Sequence, residues 1–223
     1  MRSDVMFACL LYPLMGAVLL GLAAQGAMTH LLFPVLSGFA LVGPVAALGL
    51  YELSRRREAG MEVGWGAMFE VLRSPRFPRI VMLALFNGVI FMAWLLIADA
   101  IHAATLGPER PASLMALLTA AVTTPAGWAM TIIGTGLGFL LAVAVLAVSV
   151  VSFPLLLDRD VSLPVAVTTS VRVARENPMV IATWGLIVAA GLVVGILPAL
   201  LGLVVVLPLL GHATWHLYRA AVA

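Results

Sequence analysis

Residues 153–178 read FPLLLDRDVSLPVAVTTSVRVARENP, a stretch with six charged side chains between two long apolar segments. Ser162 is suited to cap a helix, and the residues after it divide into two faces. The apolar face holds Leu163, Val167, Val171 and Ala174, and the face toward water holds Arg172 and Arg175. The stretch therefore predicts a loop at one membrane surface, carrying a short helix that lies along that surface.

The composition of the whole chain points to a membrane protein. Of its 223 residues, 63% are hydrophobic and 10% are charged, and the mean hydropathy is +1.15. A soluble domain normally carries about 25% charged residues, so we expect an integral membrane protein. The net charge of +2 gives no reason to expect nucleic acid as a partner. Cys9 is the single cysteine, which excludes an internal disulfide.

Six segments are long and apolar enough to cross a bilayer, which takes about 20 helical residues. They are residues 5–24, 31–51, 80–98, 126–157, 179–196 and 200–218. Pro154 is expected to kink or end the fourth span, and residues 197–199 to form a tight turn. The predicted fold class is all-α, a polytopic protein with six transmembrane helices and short amphipathic helices in its loops.

The arginines predict how these helices are oriented. If there are six spans, eleven of the twelve arginines fall on one side, and Arg110 alone falls on the other. Basic residues concentrate on the cytoplasmic side of membrane proteins. We therefore expect both termini in the cytoplasm of a bacterium, and the chain in its inner (plasma) membrane with the lipid bilayer as its first partner.

Two further short helices are predicted outside the spans. In residues 62–73, Trp65, Met68, Phe69 and Leu72 recur at helical spacing and indicate an amphipathic interfacial helix. Residues 113–122 predict a short re-entrant or interfacial helix on the opposite side.

The two arginine-rich loops share one order of features. Each has a charged cluster, then a surface helix ending in arginine, then a proline near the start of the next span. This order suggests one transmembrane domain, 1–223, built from two three-helix halves, about 1–110 and 111–223. Two unrelated cytoplasmic loops would explain the same pattern.

His212 and His216 are the candidate metal ligands. Their i, i+4 spacing places both imidazoles on one helical face, where one metal ion can use both. The alternative is that they hydrogen-bond neighbouring helices or headgroups beside Trp215 and Tyr218, in an interfacial aromatic belt. A metal or haem is therefore an alternative, and no cofactor is the first expectation.

A second histidine pair, His30 and His102, is expected at the opposite ends of the spans. Two helices could bracket a haem there, but interfacial positions explain these residues as well. Asp99 either belongs to an ion path or lies at a solvated span end.

The other candidate site residues are charged or aromatic and lie near the cytoplasmic ends. They could contact lipid headgroups or a partner, and they are Arg55, Arg56, Arg57, Asp158, Arg159, Trp215, Tyr218 and Arg219. Glycines in the fourth and fifth spans are expected to be helix packing sites: Gly134, Gly136, Gly138, Gly191 and Gly195.

Four segments resemble a known family. They are GLYELSRRREAG at 49–60, SFPLLLDRDV at 152–161, RENP at 175–178 and GHATWHLYR at 211–219. Together they are similar to the bacterial integral membrane family catalogued as domain of unknown function 2189, from about the second span to the end. The resemblance implies no catalytic residues. Some members are labelled cytochrome c oxidase subunit I, but this chain has half the spans of such a subunit and too few histidines.

Three functions remain open. The first is a non-catalytic accessory, assembly or scaffold protein, with a membrane complex such as a respiratory oxidase as its partner. The second is a transporter or channel for a small solute or ion. The third is metal or haem handling through His212 and His216. Enzyme activity is not expected, because no acid, base and nucleophile are placed together.

Overall fold

The structure is a computed structural model that describes residues 29–109, 111–198 and 200–222, with residues 10, 14, 16–18 and 21. The first predicted span, 5–24, and Arg110 thus fall largely or wholly outside the described residues. Within the described ranges there is no strand, and the nine α-helices are α1 (Leu32–Ala46), α2 (Leu48–Glu58), α3 (Phe77–Thr105), α4 (Leu114–Thr123), α5 (Pro125–Ser149), α6 (Ser152–Asp158), α7 (Leu163–Glu176), α8 (Pro178–Ile196) and α9 (Leu203–Val222). Two 3₁₀-helices, Thr29–Leu31 and Trp65–Arg73, complete the described elements.

Three helical segments are long and apolar enough to cross a membrane. They are Phe77–Thr105, Pro125–Asp158 and Pro178–Ile196, which match the third, fourth and fifth predicted spans. The second predicted span, 31–51, is divided at Ala47 into α1 and α2, and α2 continues to Glu58. The sixth begins at Leu203, three residues later than expected.

Pro154 interrupts the longest of these segments. Proline has no N–H to donate to the carbonyl four residues before it, and its ring clashes with that carbonyl. The carbonyl belongs to Val150, and α5 ends at Ser149 while α6 begins at Ser152. The predicted effect of Pro154 is confirmed, with the interruption one turn before the proline.

A side chain from α7 takes the place of the helical hydrogen bond lost at this interruption. The Ser170 hydroxyl donates to the carbonyl of Ala147 (2.7 Å) and accepts from the N–H of Val151 (3.2 Å). These two backbone groups are the ones that an unbroken helix would join to each other. The Ser152 hydroxyl adds a bond of 3.1 Å to the carbonyl of Ala166 on α7.

Helix α6 lies at the centre of the main hydrophobic core. Six of its residues are buried: Ser152, Phe153, Pro154, Leu155, Leu156 and Leu157. Helices α2, α3, α5, α7 and α9 all contact it. The long helices α3, α5 and α8 instead leave many large apolar side chains exposed, such as Met82, Leu140 and Leu186, as is usual for surfaces that face lipid.

The two surface helices differ in detail from their predictions. Residues 65–73 form a 3₁₀-helix, which buries Ala67, Met68 and Val71 and packs on α2. Phe69 and Leu72 are exposed, so they do not share the face of Met68 as expected. Helix α7 begins directly after Ser162, as expected, but Ser162 makes no side-chain cap hydrogen bond.

The buried face of α7 is shifted from the prediction. It is centred on Ala166, Ser170 and Val173, with Leu163, Val167 and Ala174 packed beside them. Arg172 and Arg175 are exposed, as predicted. Because this face packs on α5 and α6, the helix is held by protein contacts on that side.

Close helix approaches occur at some of the predicted glycines and not at others. A Cβ on Gly138 would lie 3.0 Å from the Trp94 ring, and one on Gly195 would lie 2.6 Å from Leu203. At Gly134 and Gly136, nothing among the described residues would lie within 4 Å of an added Cβ, so no close approach is found there. The closest approach is at Gly127, where a Cβ would be 1.9 Å from the carbonyl oxygen of Ala120 in α4.

Candidate functional site: the charged end

Polar side chains gather at one end of the molecule, where α2, α6 and α9 finish and α3 begins. We call this region the charged end. Asp158, the last residue of α6, accepts hydrogen bonds from Tyr218 (2.7 Å) and Arg219 (3.4 Å) of α9. Arg76, next to the start of α3, donates to the main-chain carbonyls of Leu157 and Asp158, the second at 3.2 Å. Three elements are therefore joined at one residue.

A second group of charges surrounds Glu52, whose side chain is 4% exposed. Arg55 donates two hydrogen bonds to its carboxylate (2.7 and 2.8 Å), and Arg56 donates one (2.9 Å). Arg56 also pairs with Glu70 of the 3₁₀-helix. Burial by itself would raise the pKa of Glu52, but the two arginines outweigh it and the pKa is lowered.

A row of contacts joins α2 to α9. The Ser54 hydroxyl donates to the Leu50 carbonyl (3.0 Å) and lies 2.6 Å from Nδ1 of His212. One turn further on, Glu58 lies 3.2 Å from Arg219 and 3.8 Å from His216. Gly211 makes the row possible, because a Cβ there would lie 2.7 Å from the Leu50 side chain.

The Ser54–His212 contact is not arranged for nucleophilic catalysis. Ser54 is buried within α2, and its hydroxyl is already bonded to its own helix. A serine nucleophile must instead be exposed at a turn, with oxyanion donors beside it. The contact is better described as a polar link between two packed helices.

The predicted site residues meet at the charged end, but most of them bond other groups of the protein itself. Arg55 and Arg56 are held by Glu52, while Arg57 is exposed. Arg159 donates to the carbonyl of Val222 (3.1 Å).

Two aromatic residues that are predicted to contact lipid headgroups are buried in the protein instead. Trp215 and Tyr218 are 0% exposed, so the prediction that they contact headgroups in an aromatic belt is wrong. The centroids of their rings lie 5.4 Å apart inside the core. A pattern of apolar and aromatic residues looks the same whether it faces lipid or protein.

The structure separates the environments of the two candidate metal ligands. His212 is turned toward Ser54, whereas the His216 side chain is 70% exposed beside Glu58. Across the described part of the chain, no three His, Cys, Asp or Glu residues form a group that could hold a metal ion.

The other two histidines meet at the opposite end of the molecule. His30 and His102 are buried, with ring centroids 4.9 Å apart and planes tilted by 46°. Nε2 of His30 lies 2.7 Å from the carboxylate of Asp99, whose side chain is 46% exposed. Asp99 lies within α3, which ends at Thr105, and the ion path and the solvated span end both stay predictions for it.

The sequence reading missed Ser54, Glu58 and Ser170 as contact residues. A signal was present for the first two, because Leu50, Ser54 and Glu58 recur at i, i+4 and i+8 on α2 and form its contact with α9. Ser170 gave no signal of its own, since a serine on a surface helix is usually exposed.

Long apolar helices that gather their charged residues at one end define an integral membrane protein. Residues 32–158 match the family described as predicted integral membrane protein (DUF2189), and the chain belongs to this family. The match ends before two of the resembling motifs, at 175–178 and 211–219. No curated protein matches the chain, and no solved structure matches it.

Proposed function

We propose that the protein is a non-catalytic accessory, assembly or scaffold protein of a bacterial inner membrane, with six spans and both termini in the cytoplasm. The observation that carries this proposal is the use of polar side chains at the charged end. Glu52, Asp158 and Ser54 are each bonded to side chains of the protein itself. Groups that are bonded in this way hold helices together. We therefore expect a partner to bind through the exposed helix faces.

The charged end also supports the proposed orientation. Arg79 pairs with Asp160 and donates to the Val161 carbonyl (2.9 Å), which brings the two arginine-rich loops together. Arg219 pairs with Glu58 and brings α9 to the same place. An arrangement with all these groups at one membrane face agrees with the positive-inside rule.

Affinity purification from native membranes tests the accessory role. The tagged full chain, extracted in a mild detergent, is expected to retain the same partner complex in repeated preparations, identified by mass spectrometry. An unrelated six-span protein carrying the same tag is the control. Recovery of the chain alone, or of the same proteins with the control, would contradict the proposal.

A second function is supported by the interrupted helices. Interrupted helices are common in transporters, and here α1–α2 and α5–α6 are both interrupted before the charged end. We propose transport of a small solute or ion as the alternative. Purified protein in liposomes would then give solute or ion flux above empty liposomes, whereas an accessory protein would give none.

A further inference from the structure

Two helix interruptions border the same buried cluster in this molecule. One is at Ala47, between α1 and α2, and the other is at Val150–Val151, between α5 and α6. Leu48, Val150 and Val151 belong to one buried cluster, and Ala47 packs against it. Each interruption is close to a proline, Pro44 inside α1 and Pro154 inside α6. Pro154 leaves the Val150 carbonyl, at the second interruption, without its helical donor. At the first interruption, Ala47 keeps its helical hydrogen bonds to Gly43 and from Tyr51, so the α5–α6 interruption is the weakened point.

Burial changes sharply across the α5–α6 interruption. On the side of the charged end, six of the seven residues of α6 are buried. On the other side, the 25 residues of α5 include three buried ones, Gly127, Val145 and Ser149. Local mobility follows the density of buried contacts. The charged end is therefore the more rigid part, and α5 continues from it through the weakened point while packing along α3 and α7.

Ser170 bridges this weakened point from a third helix. Its hydroxyl contacts Ala147 at the end of α5 and Val151 just before α6, so it holds both sides of the interruption. The residue is fully buried. A carbonyl and an N–H left without partners in apolar surroundings are destabilising, so the arrangement seen at the interruption depends on α7 remaining in place.

We propose that the α5–α6 interruption is a hinge about which α5 moves relative to the charged end, and that Ser170 is the latch of this hinge. When the latch is bonded, α5 is held in the direction seen in the structure. When it is lost, α5 moves over a wider range of angles. The inference applies equally to a scaffold and to a transporter, so it does not depend on the proposed function.

Electron paramagnetic resonance distance measurements test the latch. Spin labels are placed at Ile132→Cys on α5 and Arg57→Cys at the charged end, both exposed, in a Cys9→Ser background. Ser170→Ala is expected to give a distance distribution roughly twice as wide as in the unaltered protein, as for a released hinge. Ser170→Thr keeps the hydroxyl and should restore the narrow distribution.

The matched control is Thr131→Ala, which removes a hydroxyl bonded to Gly127 within α5, far from the interruption. Equally wide distance distributions for Ser170→Ala and Thr131→Ala would contradict the proposed role of Ser170. Pro154→Ala tests the opposite change, because it restores an N–H that can donate to the Val150 carbonyl. The distance distribution should then become narrower than in the unaltered protein. If Ser170→Ala does not fold, an unchanged width for Pro154→Ala overturns the proposal by itself.

Discussion

At the scale of single residues, two neighbouring aromatic side chains of α9 have opposite hydrogen-bonding states. Tyr218 donates to Asp158 at 2.7 Å. The indole N–H of Trp215 is buried and has no hydrogen-bond partner within the described part of the chain. A buried polar group without a partner costs about 1–3 kcal/mol, so these two side chains make different contributions to stability although both are fully buried.

Replacing each ring by phenylalanine separates these contributions. Trp215→Phe removes an unpaired N–H and leaves a small cavity, so the two effects offset each other and we expect a change within about 1 kcal/mol. Tyr218→Phe removes a hydrogen bond to a carboxylate and should destabilise by about 1.5–3 kcal/mol. Thermal unfolding of the detergent-purified variants measures both. A larger loss for Trp215→Phe than for Tyr218→Phe would contradict this assignment.

Glu52 makes stability depend on pH. Its folded-state pKa is lowered from 4.5, so its ion pairs stabilise the fold above its unfolded pKa. That stabilisation is lost as the pH falls through the lower folded value. Glu52→Gln should cost about 1–3 kcal/mol at pH 7. It should also show a smaller drop in Tm than the unaltered protein between pH 7 and about pH 3.5. Parallel curves for the two proteins would rule out this role.

At the scale of elements, helix positions were more predictable than helix contacts. Residues 80–98, 126–157 and 179–196 were expected to span, and three long apolar helices are found there. Hydropathy does not distinguish a helix in lipid from one in a protein core, because both surroundings are apolar. For this reason α6 could be placed in a span, but its central position in the core could not be foreseen.

The 3₁₀-helix at 65–73 shows a second limit. Its apolar residues fit an α-helical wheel, but the segment buries Met68 and exposes Phe69 and Leu72. The charge pair between Arg56 and Glu70 and the contacts with α2 connect residues that are distant in sequence. Such tertiary contacts override the local periodicity from which the surface helix was predicted.

The α4–α5 contact gives a prediction for a whole element. Gly127→Ala would place a methyl group where the Ala120 carbonyl lies, 1.9 Å away, so α4 must move off α5. We expect a loss of about 2 kcal/mol or more, within the range for overpacking. Gly134→Ala is the matched control on the same helix, where the added methyl group meets no described residue within 4 Å. Equal melting temperatures for the two variants would show that α4 is not packed here as described.

At the scale of the whole molecule, the proposed topology requires that α7 and the α3–α4 connection face opposite sides. Thr168 and Ala112 are exposed positions in these two regions. In a Cys9→Ser background, a membrane-impermeant maleimide should label Ala112→Cys in right-side-out vesicles, and Thr168→Cys in inside-out vesicles only. The parent without cysteine should give no signal. Labelling of both positions from the same side would exclude six spans with this orientation.

The sequence predicts which residues lie together at the candidate site, but it does not predict which hydrogen bonds and ion pairs they form. Arginine positions indicated which residues would share one membrane face, and Arg55, Asp158 and Arg219 do lie at one end. The pairing of Ser54 with His212 spans 158 positions of the chain, and no local pattern encodes it. Four histidines in a membrane sequence suggested ligands, whereas His212 is used as a link between helices.

The joining of α6 and α9 at Asp158 also bears on how the protein is made. Tyr218 and Arg219 are synthesised some sixty residues after the carboxylate that they hold. Until α9 is present, the carboxylate of Asp158 lacks both of these partners and keeps Arg159 beside it. The last helix to be synthesised therefore completes the bonds of a residue at the end of a much earlier one.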